Sequence, residues 1–342
     1  MQYVRNCWYV AGWSGGFGSK FKTATILGDN VVFYRKTSGD LVALEDRCPH
    51  RMLPLSLGRI VEDNVQCGYH GMTFDSLGNC VRVPGQDNLP NRARVHSYPV
   101  HEAHNVVWIW MGDPERANVE DVFDLPQLSQ DGWEAHQGDA LHIASNYINV
   151  ADNLCDPAHV SFVHPTTLGN AASENVPVET KKVGDTIITS RWIRNGPPIG
   201  FFQKFGGFSG HVDRWHYYYL HAPNIAVIDF GSADIDAELT EDRRSEGVQI
   251  YALHFLTPVD ATHTIDWWMH VRNSALDDGD AGEIMNNMFR TAFDEDKEIL
   301  EAIQKEELKH DNQNGVGLAI DLGPKLYRKL VDEMIAKEQN VR

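Results

Sequence analysis

No stretch of the 342 residues approaches the run of about 18 apolar residues that a membrane-spanning helix needs. The first residues, MQYVRNCWYV, lack the basic start, apolar run and small-residue cleavage site of a secretion signal. Both absences point to a cytoplasmic protein. Cysteine is scarce: Cys7, Cys48, Cys67, Cys80 and Cys155 are an odd number without a secretion signal, which does not read as a disulfide framework and fits a metal role better. Basic residues are outnumbered, 30 Lys and Arg against 48 Asp and Glu, for a formal net charge of -18. That balance argues against nucleic acid or an anionic membrane as partner, because phosphate needs a basic surface. No G-x-G-x-x-G fingerprint follows a strand, so a nicotinamide dinucleotide would be handled by a separate protein. Internal repeats and low-complexity segments are also missing.

What is present is enough apolar material, 42% of residues, for two domains. From Ala24 to about Trp110 the chain alternates short apolar runs with the turn signals GDN, SGD and LGN, the pattern of a small antiparallel β domain. The Gly-Asp-Pro and charge cluster of MGDPERANVEDV follow the apolar NVVWIWM, which places a boundary near residue 115 and divides the chain into 1–115 and 116–342. Residues 145–164 read as an interrupted helix, 176–272 as strands, 279–307 as a long helix and 325–339 as a charged amphipathic helix. The fold class is α+β.

Two loops of the β domain carry metal-binding residue types. Cys48-x-His50 is followed, after 16 intervening residues, by Cys67-x-x-His70. Zinc accepts these four ligands. A small β domain with one Cys-x-His loop and one Cys-x-x-His loop also resembles the Rieske ferredoxin fold, where two cysteines hold one iron of a [2Fe-2S] cluster and two histidines the other. Imidazoles in place of two thiolates make the cluster less negative and raise its potential. Cys7, Cys80 and Cys155 lack such partners and read as small buried residues.

A second constellation lies in NYINVADNLCDPAHVSFVHP. Asn149, Asn153, Asp156 and His159 are three or four residues apart and would share one helix face. Asp156-Pro157 is a helix-start signal, so the helix is expected to break and restart there. His159 and His164 are spaced so that a helix end and the following loop converge on one ion. In MFRTAFDEDKEILEAIQ an apolar stripe of Phe289, Phe293, Leu300 and Ile303 has Asp296 in its middle, whereas Asp294, Glu298 and Glu301 face away. A carboxylate on a buried stripe must be paired, protonated or metal-bound. Two histidines and one carboxylate with open positions make the facial triad of non-haem Fe(II) oxygenases.

On CPHR, CGYHG, DNLCDPAHVSFVH and AFDEDKEILEAI the chain resembles, over essentially its whole length, the oxygenase component of Rieske non-haem iron aromatic-ring oxygenases. Among the shorter chains of that family it resembles the vanillate and dicamba O-demethylase oxygenases, and RNCWYVAGW, VPGQ and GDTIITSRW look like the vanillate type. HPTTLG and WIWMGDPERAN are similar to toluenesulfonate methyl-hydroxylase-like enzymes.

The resemblance implies an all-β Rieske domain followed by a helix-grip catalytic domain with an antiparallel sheet and flanking helices. It implies Cys48, His50, Cys67 and His70 as cluster ligands and His159, His164 and Asp296 as ligands of a mononuclear Fe(II). It also implies Asp156 as a carboxylate bridging the two metals across subunits of a homotrimer, and Asn153 as a residue near the iron. Asn224 and His254 match substrate-contacting positions, and the stretch GPPIGFFQKFGGFSG is expected to form a flexible wall over the pocket.

The expected activity is a monooxygenase that uses O2 and electrons from NAD(P)H to oxidise a methyl group of a substituted aromatic acid. A methoxybenzoate-like compound would lose formaldehyde. The alternatives are hydroxylation of an aryl methyl or ring carbon, and a Rieske electron carrier without enzyme activity. A separate NAD(P)H-dependent reductase with flavin and an iron-sulfur centre, with or without a ferredoxin, would supply the electrons.

Overall fold

The computed structural model of the protein describes residues 1–310 and 315–340. It divides into two compact units, residues 1–122 with 257–260, and residues 123–256 with 261–340. Among the described residues no helix is long and apolar enough to cross a membrane.

The first unit contains strands β1 Trp8–Trp13, β2 Lys22–Ile26, β3 Asp29–Arg35, β4 Leu41–Glu45, β5 Arg59–Val61, β6 Asn64–Gln66, β7 Thr73–Phe74, β8 Cys80–Arg82, β9 Ser97–Tyr98, β10 Val100–Ala103 and β11 Val106–Trp110. They form three antiparallel sheets, ordered β1-β11-β10, β2-β3-β4-β9 and β5-β6-β7-β8. The turn signals fall where hairpins form: Gly28, Gly39 and Gly78 all have positive φ between paired strands, a region that glycine enters without a Cβ penalty. One core gathers Tyr9, Phe17, Phe33, Val107 and Ile109. A second gathers Val32, Tyr34, Leu44, Leu55, Val65 and Phe74 together with Cys48 and Cys67.

The second unit is built on a seven-stranded antiparallel sheet. Its strands are β12 Glu134–Ile143, β13 Glu179–Val183, β14 Thr186–Gly196, β15 Val212–His221, β16 Ile225–Asp234, β17 Val248–Asp260 and β18 His263–Arg272, in the order β12-β18-β17-β16-β15-β14-β13. β17 runs to Asp260, and its last residues, 257–260, belong to the first unit. β12 has no clear apolar alternation (EAHQGDALHI). Its pairing with β18 is irregular between Gln137 and Ala140, where a side chain on Gly138 would collide with the Trp268 ring.

The helices are α1 Tyr147–Leu154, α2 Val160–Val163, α3 Gly200–Gly206, α4 Ala281–Lys309 and α5 Leu322–Gln339. The expected break between 145 and 164 is present, at the Asp156-Pro157 turn. The long helix buries Phe289, Phe293, Asp296 and Leu300, but Ile303 is 44% exposed and Gln304 takes the buried place beside it. That corrects the expected stripe. A buried Gln304 is needed because its Oε1 accepts the backbone N–H and the side-chain Nδ2–H of Asn146, at 2.8 and 2.7 Å. The segment expected as a flexible wall contains α3, whose Phe201, Phe202 and Phe205 are buried. The Phe201 ring lies 5.2 Å from Phe289 and 5.8 Å from Phe230, so this stretch is held by aromatic packing.

Candidate metal centres

The two loops of the first unit are built alike. In one, Cys48 N donates to the Leu53 carbonyl at 2.9 Å and Met52 N to the Cys48 carbonyl at 2.9 Å. In the other, Cys67 N donates to the Met72 carbonyl at 2.8 Å and Gly71 N to the Cys67 carbonyl at 3.1 Å. The fourth residue after each cysteine has positive φ, 61° at Met52 and 71° at Gly71. The loops approach so closely that a Cβ on Gly58 would land on the Gln66 carbonyl oxygen, and one on Gly68 would sit 2.7 Å from that of Leu57.

Both thiols are buried, and burial raises the pKa of Cys48. Both histidines are exposed, with ring centroids 4.6 Å apart. Tyr69 is exposed beside them, its ring 3.8 Å from that of His70. A cluster held here would have its thiolate iron inward and its imidazole iron at the surface, where an electron can leave. Cys80 and Cys155 are buried and Cys7 is half-buried; burial pushes the Cys155 thiol up to about 12.

In the second unit α1, the turn after it, α2 and α4 bring His159, His164 and Asp296 together, each offering one ligand atom within 4.8 Å of the others. His159 Nε2 is 3.5 Å from Asp296 Oδ1, and His164 Nε2 is 3.1 Å from Oδ2. His164 Nδ1 lies 2.7 Å from Glu295 Oε2, so this imidazole stands between two carboxylates. Burial disfavours its charged form, but hydrogen bonds to Asp296 and Glu295 outweigh burial and raise its pKa. Burial lowers that of His159. At Asp296 burial acts upward, yet His164, His159 and Asn153 together hold the carboxyl below its ordinary range.

With the His164 proton on Nδ1 for Glu295, a lone pair on Nε2 and the carboxylate oxygens of Asp296 face one another. That arrangement requires an imidazolium or a cation between them. The donor set, two imidazole nitrogens and a carboxylate oxygen, suits a divalent iron with open positions. The residues therefore fit a mononuclear iron.

The remaining expected residues fall around this point. Asn153 Nδ2 donates to Asp296 Oδ1 at 2.9 Å. Asp156 Oδ1 accepts the Ala158 N–H at 2.7 Å, and its Oδ2 is 3.9 Å from His159 Nδ1, a buried nitrogen with no hydrogen-bond partner among the described residues. Asn149 instead donates to Glu307 at 2.7 Å and does not reach the cluster. A small cleft opens onto Asn153, His159, His164 and Asp296. His216, Tyr218, Phe230, His254 and Phe293 are among its other walls.

His254 Nδ1 is 2.7 Å from Asp266 Oδ2, and its Nε2 has no hydrogen-bond partner among the described residues. Asn224 is buried at the turn between β15 and β16, where its carbonyl accepts from Leu256 N at 2.8 Å, and it is not among the lining residues. Sequence reasoning missed Glu295, although it adjoins Asp296. It also missed His216 and Tyr218, which only strand register brings to the cleft.

Residues 7–99 match the model of the Rieske [2Fe-2S] domain, and residues 143–337 that of the vanillate O-demethylase oxygenase C-terminal domain. The chain belongs to the Rieske oxygenases of the vanillate O-demethylase type. Its relatives in this family include the iron-sulfur subunit of a toluene-4-sulfonate monooxygenase system of Comamonas testosteroni, 37% identical over 341 residues that cover 98% of each chain. They also include the vanillate O-demethylase oxygenase subunit of Pseudomonas sp. HR199, 31% identical over 98% of this chain and 96% of that one. A crystal structure of dicamba monooxygenase with non-heme iron and dicamba superposes with a TM-score of 0.84 at 26% identity, over all of both chains.

This Rieske oxygenase is therefore an oxidoreductase that carries a [2Fe-2S] cluster and a mononuclear iron, and it is the oxygenase component of a multicomponent monooxygenase. The α+β architecture expected from the sequence is the one observed.

Proposed function

We propose that this oxygenase removes the methyl group of a methoxybenzoate-like aromatic acid as formaldehyde. The observation that carries this reading is a mostly apolar cleft lined by His159, His164 and Asp296 together with Tyr218, Phe230, Phe289 and Phe293, which suits a flat aromatic ring with its methyl group near the three ligands. In the net reaction one oxygen atom of O2 is inserted into a methyl C–H bond, giving a hemiacetal that collapses to phenol and formaldehyde. The other oxygen leaves as water with two electrons from NAD(P)H and two protons.

The bound metals supply electron storage and oxygen activation. The chain supplies placement. Cys48 and Cys67 would hold one iron of the cluster, and His50 and His70 the other. His159, His164 and Asp296 hold the mononuclear iron. Glu295 keeps His164 in the tautomer whose Nε2 is free to ligate, and Asn153 orients Asp296. Asp156 is the bridge between the centres: one oxygen is committed to its own turn and the other is turned toward His159.

We assign electron entry to residues 1–115 and oxidation to residues 116–342. The partner is a separate flavin and iron-sulfur reductase, with or without a ferredoxin, and the assembly is a homotrimer, in which the bridge passes between subunits. We place the protein in the cytoplasm.

Hydroxylation of an aryl methyl group is the second reading, favoured by the 37% identity to a toluene-4-sulfonate monooxygenase subunit. One assay separates the two: formaldehyde measured against NADH consumed, with methoxylated and methylated benzoates and sulfonates as substrates and a surrogate reductase. One formaldehyde per NADH from a methoxybenzoate supports demethylation. Coupled NADH oxidation that yields only a benzylic alcohol from a methyl arene would replace it with the second reading.

A further inference from the structure

The inner face of the seven-stranded sheet carries charges that the metal chemistry does not use. Arg191 of β14 stands opposite His216 of β15, His216 opposite Phe230 of β16, and Arg214 opposite Ser232. Alternate residues of a strand share a face, so Arg214, His216 and Tyr218 point to the side on which His216, Tyr218 and Phe230 line the cleft. Arg191 and Arg214 are 3% and 0% exposed, and among the described residues neither donates a hydrogen bond to a carboxylate. Arg191 donates from Nε to His216 Nδ1 at 3.3 Å and from Nη1 to the Ser173 carbonyl at 2.9 Å. Arg214 donates from Nη2 to Asn170 Oδ1 at 2.9 Å.

Among the described residues, Arg191 Nη2, Arg214 Nε and Nη1, and Ser232 Oγ have no hydrogen-bond partner. Burial lowers both guanidinium pKa values, that of Arg214 to about 10, and a guanidinium in a protein keeps its charge near neutral pH. Tyr218 and Asp156 act on Arg191 only through space, and the neighbour acting on Arg214 is Arg191, a like charge. Two buried cations without an adjacent anion are costly, and an anion close by would relieve that cost.

The Arg191–His216 bond also fixes a tautomer. A guanidinium only donates, so His216 Nδ1 accepts and the ring proton sits on Nε2. Burial, and then the two arginines, hold the His216 pKa well below its ordinary value. His216 is thus a neutral N–H donor in the wall of the cleft that also contains His159, His164 and Asp296.

We propose that His216, backed by Arg191 and Arg214, is the oxyanion anchor of the substrate site and holds the carboxylate or sulfonate of an arene whose methyl or methoxy group is directed at the metal end. This rests on the reading of the cleft as the substrate site. The oxyanion accepts the Nε2–H, and the two guanidinium charges behind the imidazole balance its charge within largely apolar walls. A neutral arene of the same shape gains neither term.

Calorimetric titration of the holoenzyme with 4-methoxybenzoate, toluene-4-sulfonate and the neutral 4-methylanisole tests the anchor and tells carboxylate from sulfonate. In the wild type at least one anion binds more tightly than the neutral arene. His216→Phe weakens that anion about ten- to a hundredfold, the span expected for a buried hydrogen bond to a charged group, and leaves 4-methylanisole within about twofold. Arg214→Met removes a charge behind the wall and acts in the same sense. It carries the test if His216→Phe fails to fold. Neutral arene bound as tightly as either anion, or anion affinity unchanged in the folded variants, would overturn the anchor, as would anion and neutral affinities falling together. Formaldehyde is scored separately: anion-selective binding without formaldehyde removes demethylation and keeps the anchor, and formaldehyde without anion selectivity does the reverse.

Discussion

Asn153 presents its amide nitrogen to Asp296, 2.9 Å from Oδ1. Because a carboxylate only accepts, the side-chain amide is oriented with its NH2 toward Asp296, as an orienting neighbour rather than as a ligand. Asn153→Ala should therefore keep a folded protein and an intact Rieske visible spectrum, yet weaken mononuclear iron binding about ten- to a hundredfold, the usual cost of losing an outer hydrogen bond to a ligand. Iron competition with a chelator reads this out. Unchanged affinity would remove the orienting role.

Asp296→Ala should remove the mononuclear iron entirely. Metal and sulfide analysis would then fall from about three irons to about two per chain, with two acid-labile sulfides retained, since the cluster lies in the other unit. Full iron content would shift the carboxylate role to Glu295 or Asp294.

The bridge is tested by Asp156→Asn. An asparagine can still accept the Ala158 N–H and preserve the turn, but it loses the charge facing His159. Both metals should stay bound, while oxidation of the pre-reduced cluster in a single turnover with substrate and O2 slows about tenfold or more. A wild-type rate in stopped-flow absorbance would exclude the bridge.

In the first unit Gly58→Ala is the corresponding test. A methyl group there collides with the Gln66 backbone carbonyl, which cannot swing aside as a side chain could, and forces the two ligand loops apart. We expect about 1–3 kcal/mol of destabilisation, as for other overpacked sites. Cluster content should fall while mononuclear iron is kept. Loss of both metals together would mean global unfolding, which a thermal melt distinguishes.

The sequence revealed the two centres unequally. Cys48, His50, Cys67 and His70 stand out as candidate ligands because each pair lies within one short loop, so spacing alone brings them together. His159 and His164 are local in the same sense, and Asp296 stood out as a charge in an apolar stripe, although that stripe was misread at Ile303. A helical wheel cannot show that Gln304 is needed inside to accept from Asn146. β12 was missed because half its residues are polar and Gly138 is demanded by Trp268, far away in the chain. His216, Arg191 and Arg214 were invisible for a related reason. A lone arginine in a strand reads as a solvated residue, and only the register of three strands turns two of them inward behind a histidine. Asn224 shows the converse: sequence context suggested the pocket, and the β15–β16 turn holds it outside the lining.

The contacts along α4 carry one more consequence. Asp296 meets His164 and Asn153, Glu301 accepts from Ala144 N at 2.9 Å, Gln304 holds Asn146, and Glu307 holds Asn149. One helix thus indexes the start of α1 and the ligand cluster on a common ruler. Each residue of an α-helix advances the face by about 100°. Deleting a single residue between Asp296 and Glu301 would leave every side chain chemically intact and still swing the carboxylate out of line with its histidines. Length variation in this family should therefore be excluded from that span, however freely the surface turns around it accept insertions.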